Sequence, residues 1–153
     1  MREKGLYFEE IDIGREWETE GRTVTETDIV NFAAFTGDWM YLHTDEVKAS
    51  QGPFGGRIAH GLLGLSIAMG LMVRLGILDG TAEAFLGLEW SFTGPIRIGD
   101  TIKAKITVIE KKVSKKGKGI VGFALRMENQ RGEVVQRGTK TIMVKRSEER
   151  SST

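Results

Sequence analysis

Apolar residues take every second position through much of the chain's second half. Leu86, Leu88, Trp90 and Phe92 do so first; Ile102, Ala104, Ile106 and Val108 follow, set against Thr101, Lys103, Lys105 and Thr107; Val121, Phe123, Leu125 and Met127 repeat the pattern. A period of two marks strands with one buried face. Gly117 and Gly132 fall where hairpins must turn, and residues 134–144 read as a further strand, so this half predicts an antiparallel sheet. An early strand over residues 17–24 would complete it.

Two stretches carry helical signals instead. Thr25 followed by Asp28 is a variant capping box, and Ile29, Val30, Phe32, Ala33 and Phe35 give the short helix behind it an apolar stripe, ending near Gly37. Residues 58–73 are almost continuously apolar, broken by His60, Ser66 and three glycines, with no charge before Arg74. The stretch is too short for a membrane span, which takes about 20 residues. A helix apolar on every side is expected to be buried all round. Gly61, Gly64 and Gly70 each cost roughly 1 kcal/mol of helix propensity against Ala, so they are expected to admit another backbone closely. A curled antiparallel sheet wrapped around one long central helix meets all these demands. The predicted class is therefore α+β, a single hot-dog domain.

At 153 residues the chain can bury one core without staples. The domain is placed at residues 1–145, and the charged residues 146–153 are expected to fray. With 28% charged residues and a net charge of +1, there is no electrostatic pull toward nucleic acid or an anionic membrane. Cysteine is absent, which excludes disulfides, a thiolate nucleophile and a zinc–thiolate site. Met1-Arg2-Glu3-Lys4-Gly5 leads into no apolar secretory leader, so a cytoplasmic address is the expectation.

The candidate chemistry lies in Gly37-Asp38-Trp39-Met40-Tyr41-Leu42-His43. Asp38 and His43 can converge if the chain between them turns, and Gly37 permits an unusual backbone angle at the entrance. Beyond Phe54-Gly55-Gly56-Arg57-Ile58-Ala59-His60 the long helix opens, with a start expected near Ala59. Its first N–H groups lack intrahelical partners at the positive end of the macrodipole, which suits the bare Gly61 amide to an oxyanion. Plainer readings stand beside these. Asp38 after Gly is a common turn residue. His60 reads as a structural histidine bonded to a loop rather than a catalytic one, and Arg57 as a phosphate contact or a loop-pairing cation. The cationic run from Lys111 to Lys118 reads as a solvated hairpin tip. Gly64-Leu65-Ser66-Ile67-Ala68 misses the nucleophile elbow at Ala68, and the two histidines make no metal motif, so no metal is expected.

The dyad segment and the Ile-x-His-Gly that follows resemble the signature of the MaoC-like, or (R)-specific enoyl-CoA hydratase, family, which reads Gly-Asp-x-Asn-Pro-Leu-His and then Ile-x-His-Gly. Phe92-Thr93-Gly94-Pro95-Ile96-Arg97-Ile98-Gly99-Asp100 is similar to the family's strand-turn, so the likeness spans roughly residues 25–144. The resemblance implies a hydro-lyase that reversibly hydrates a trans-2-enoyl-CoA to an (R)-3-hydroxyacyl-CoA. Asp38 and His43 would be its catalytic pair, with Gly61 donating to the thioester oxygen. Met40, Tyr41, Arg57 and His60 are the neighbouring candidates for substrate binding. Coenzyme A enters as part of the substrate, no separate cofactor is implied, and a homodimer or higher homo-oligomer is. Met40-Tyr41 stands where the family has Asn-Pro, which removes an amide donor and acceptor. Two rival readings are a hot-dog thioesterase, disfavoured by the Asp-to-His spacing, and a non-catalytic acyl-CoA-binding or regulatory protein, which Met40-Tyr41 makes credible.

Overall fold

Residues 4–151 are described by the computed structural model. Along them run β1 (Glu16–Glu18), β2 (Arg22–Thr23), α1 (Glu26–Thr36), α2 (Tyr41–Thr44), α3 (Glu46–Ser50), α4 (Gly61–Arg74), β3 (Ala82–Phe92), β4 (Thr101–Val113), β5 (Gly119–Glu128) and β6 (Val134–Val144). The strands pair antiparallel in the order β1-β4-β5-β6-β3, with β2 also on β4. The expected alternation holds through the sheet's centre. Ile102, Ala104, Ile106 and Val108 of β4 and Val121, Phe123, Leu125 and Met127 of β5 are all buried, and the register sets Ile106 beside Leu125 and Val108 beside Phe123. Burying each large apolar side chain contributes about 1.5–3 kcal/mol, which draws the sheet into a curl around α4. This is the hot-dog architecture, and it forms one domain.

The capping box closes as expected: Thr25 N–H donates to Asp28 Oδ2 (2.9 Å) and Asp28 N–H to Thr25 Oγ1 (3.2 Å). Gly37 ends α1 with φ at 78°, a left-handed angle that a side chain would disfavour. Only part of the expected stripe faces inward, however. Ile29 and Ala33 are buried, whereas Val30 and Phe35 face solvent.

Other expectations need correction. The early strand is broken in two, because the Thr19 hydroxyl accepts the Ala104 N–H (2.9 Å) in place of a ladder carbonyl. The long helix starts at Gly61 rather than near Ala59, since Ala59 N–H donates to the Ile96 carbonyl and Ile58 N–H to that of Leu42. Nor is α4 buried all round: Leu63, Ile67, Ala68, Leu71 and Met72 face the sheet, but Leu62 and Val73 are 59% and 63% exposed. Its glycines meet side chains rather than backbone. A Cβ on Gly61 would strike the Phe92 ring and one on Gly64 the Gln136 amide, while at Gly70 the space is open. Strand β3 lies at the sheet edge with Phe85, Leu86, Leu88 and Phe92 exposed.

The segment expected to fray is tied down as far as Ser151. Ser147–Ser151 forms a 3-10 turn, with Ser147 and Arg146 bonded to Glu9 and Arg150 to Glu10. Desolvation opposes ionisation of Glu9, but the bonds from Ser147 and Arg146 prevail and hold its carboxyl down at about 2. Residues 152–153 lie outside the described residues.

Candidate active site

Where α1 stops, Asp38 begins a loop that is bonded at both ends. Its N–H donates to Thr36 Oγ1 (3.2 Å), and its Oδ1 accepts from Met40 N–H (3.2 Å). The chain then turns into α2, which buries His43. His43 Nδ1 lies 2.8 Å from the Ile58 carbonyl oxygen. A carbonyl only accepts, so Nδ1 carries the proton in the neutral ring and Nε2 keeps its lone pair.

His60 completes this corner. Its Nε2 lies 3.0 Å from the Asp38 carbonyl and therefore donates, and its ring stacks on His43 with centroids 3.8 Å apart and planes at 26°. Phe32 closes the other side at 4.9 Å. His60 Nδ1 is buried with no hydrogen-bond partner among the described residues. Burial pushes the His60 imidazole below its ordinary value; the bond to the Asp38 carbonyl opposes this and neighbouring His43 reinforces it. One donor atom from each of Asp38, His43 and His60 lies within 4.8 Å of the others. They do not converge as a metal set, because imidazole lone pairs lie in the ring planes, and two stacked planes direct them side by side rather than onto one ion at about 2.0–2.1 Å.

The third element is the start of α4. His60 occupies the N-cap position without a side-chain cap bond, and the Gly61 N–H has no acceptor among the described residues. Beside it opens a cleft of about 750 Å3, lined by His43, Gly61, Leu62, Phe92, Pro95, Gln136 and apolar neighbours. His43 and Gly61 thus share one apolar cleft, with the exposed Asp38 carboxylate next to His43.

The candidate substrate-binding side chains lie elsewhere. Met40 is largely exposed and serves through its backbone N–H, and the Tyr41 ring takes the Lys48 ammonium at 4.5 Å. Arg57 donates to Glu46 (2.6 Å) and Glu26 (2.6 Å), bonds that push its guanidinium further up and tie α1 and α3 to the loop before α4. It is a loop-pairing cation. His60 is too enclosed to line the cleft. The basic run from Lys111 to Lys118 surrounds a hairpin turn, with Lys118 reaching Glu83 (3.4 Å) and Lys111 the Phe8 ring (4.7 Å).

Gln136 was missed by sequence reasoning. It stands fully buried on β6 and lines the cleft. The available signal was its place in the strand alternation, on the same face as Ile142 and Val144, where a polar residue needs a partner.

Comparison with known proteins places the family and the fold. The sequence profile described as the MaoC like domain matches residues 9–130. Over 108 residues the chain is 43% identical to Protein MaoC of Klebsiella aerogenes, an alignment covering 70% of this chain and 32% of that protein, so the chain spans about a third of MaoC's length. It is 34% identical over 139 residues to a protein of Rhodospirillum rubrum named (R)-specific enoyl-CoA hydratase, covering 90% of this chain and 91% of that one. A solved structure named monoamine oxidase regulatory protein, from Archaeoglobus fulgius, matches with a TM-score of 0.88 at 41% identity, covering 96% of this chain and 99% of that one. The fold defines a hot-dog protein in which Asp38 and His43 lie beside His60, the residue that precedes its central helix. The chain belongs to the MaoC-like dehydratase family. Among the described residues no helix is long and apolar enough to cross a membrane.

Proposed function

We propose that this chain is a hydro-lyase that reversibly adds water to a trans-2-enoyl thioester of coenzyme A, giving the (R)-3-hydroxyacyl thioester. The observation that carries this reading is the His43 Nε2 lone pair, held free by the bond from Nδ1 to Ile58, in the same cleft as the free Gly61 N–H. The name of the Rhodospirillum rubrum relative supports the same reaction class. As the water oxygen bonds to C3, it gives up a proton. The electron pair of the double bond moves toward the thioester oxygen, where the Gly61 N–H bears the charge, and C2 then takes a proton. Asp38 and His43 share the two transfers as a coupled pair, so one proton is taken, one is returned, and the pair ends as it began.

A non-catalytic acyl-CoA-binding role is the second reading, favoured by Met40 in place of the family's Asn and by the regulatory name of the Archaeoglobus structure. One assay separates these. Incubated with crotonyl-CoA, the protein should remove enoyl absorbance without releasing thiol. Thiol release would make it a thioesterase, and binding without either change would make it a binding module.

Association as a homodimer along β3 is also proposed. This edge strand exposes Phe85, Leu86, Leu88 and Phe92, and Leu62 and Val73 of α4 are exposed as well. Such an apolar edge favours pairing with a second copy. Sedimentation velocity at micromolar concentration should give a dimer, and a monomer there would overturn the arrangement.

A further inference from the structure

Helix starts are usually pinned by a side chain that accepts from the first free N–H groups. In α4 no such cap exists, and under the reading above a cap would occupy the donors that the thioester needs. The first turn is nevertheless held, from its carbonyl side. Gln136 Nε2 donates to the Gly61 carbonyl (3.0 Å), and Gln136 Oε1 accepts from Trp90 Nε1 (2.8 Å). The orientation of this amide is decided by its partners, since a carbonyl can only accept and an indole N–H can only donate. A flipped amide would set donor against donor and acceptor against acceptor.

The packing agrees. A Cβ on Gly64 would come within 2.4 Å of Gln136 Nε2, so the missing side chain there is what lets the amide lie against the helix. Phe92, the cross-strand partner of Gln136, covers Gly61 from the other side. Gly61 is thus held by β6 and β3, while its own N–H, at the cleft's lining, has no acceptor among the described residues. We propose that Gln136 is a positioning residue, which clamps the first turn of α4 by its carbonyl so that the Gly61 amide faces the substrate oxygen. This rests on the hydratase reading.

The test uses the full chain with Gln136→Leu and Gln136→Glu, read against the parent. Removing both bonds in Gln136→Leu should lower kcat on crotonyl-CoA about 10- to 100-fold with KM little changed, because misplacing an oxyanion donor acts on the transition state. Gln136→Glu reproduces the bonding pattern only when protonated, with its O–H toward Gly61 and its carbonyl toward Trp90. Burial favours that neutral form. Its rate relative to the parent should therefore be near one at the acid end and fall as pH rises through the new carboxyl's titration. With rates taken per folded protein, as followed by circular dichroism at each pH, a purely structural role would give a ratio independent of pH.

If the Leu variant fails to fold, the Glu variant still decides. A pH-independent ratio, or an unchanged kcat in a folded Leu variant, would overturn the proposal. Should the parent itself not hydrate crotonyl-CoA, the functional reading fails separately, and the Gly61 amide resonance with butyryl-CoA reads the clamp directly. A shift in the parent that is lost in Gln136→Leu would uphold the clamp; an equal shift in both, or none in the parent, would reject it.

Discussion

Asp38→Asn and His43→Ala are each expected to lose about 10² to 10⁴ in hydration rate, the usual loss when a positioned acid or base is removed. The two variants test different parts of the pair. Asn at position 38 keeps an oxygen for the Met40 N–H, so the turn should survive and only the titrating group is lost. Ala at position 43 strips the Ile58 carbonyl of its buried donor and His60 of its stacking partner. Leaving a buried acceptor unpaired costs about 1–3 kcal/mol, so rates for this variant should be measured well below its melting temperature. Rates within a few-fold of the parent in both variants would remove Asp38 and His43 from the chemistry.

Gly61→Ala is expected to lose about 10² to 10³ in turnover, the scale of one oxyanion donor. Propensity alone would have Ala stabilise α4 by about 1 kcal/mol. The tertiary structure removes that gain, because the new Cβ would stand 2.8 Å from the Phe92 ring. Phe92 is 53% exposed in the protomer but lies on the edge proposed to pair with a second copy, so a melting temperature at or slightly below the parent's is expected. Combining Gly61→Ala with Phe92→Ala relieves the clash but leaves the methyl beside the amide. Continued inactivity of the double variant, with Phe92→Ala alone active, would locate the loss at the Gly61 N–H. Recovery would assign it to the displaced ring, and full activity of Gly61→Ala alone would move the oxyanion donor elsewhere.

Local chemistry made much of the protein legible in its sequence. Strands β4 and β5 follow from a period of two, β6 from its place after the Gly132 turn, and the limits of α1 from Thr25, Asp28 and Gly37. Each signal acts over a few residues and needs no distant partner. The start of α4 was legible only to within two residues, because the bonds of Ile58 and Ala59 N–H to Leu42 and Ile96 that delay it come from distant segments.

Side-chain partners distant in the sequence were decided by the tertiary structure. The register of β3 on β6 sets Phe92 beside Gln136 and brings the Gln136 amide to Gly61, a pairing no local pattern specifies. Arg57 was ambiguous until Glu26 and Glu46 were brought to it, and His60 until its ring was laid on His43. The apolar run of α4 signalled a helix but implied burial on every side, whereas Leu62 and Val73 are exposed. Which face remains exposed depends on where the sheet ends, at β3, and that edge is set by the pairing of whole strands.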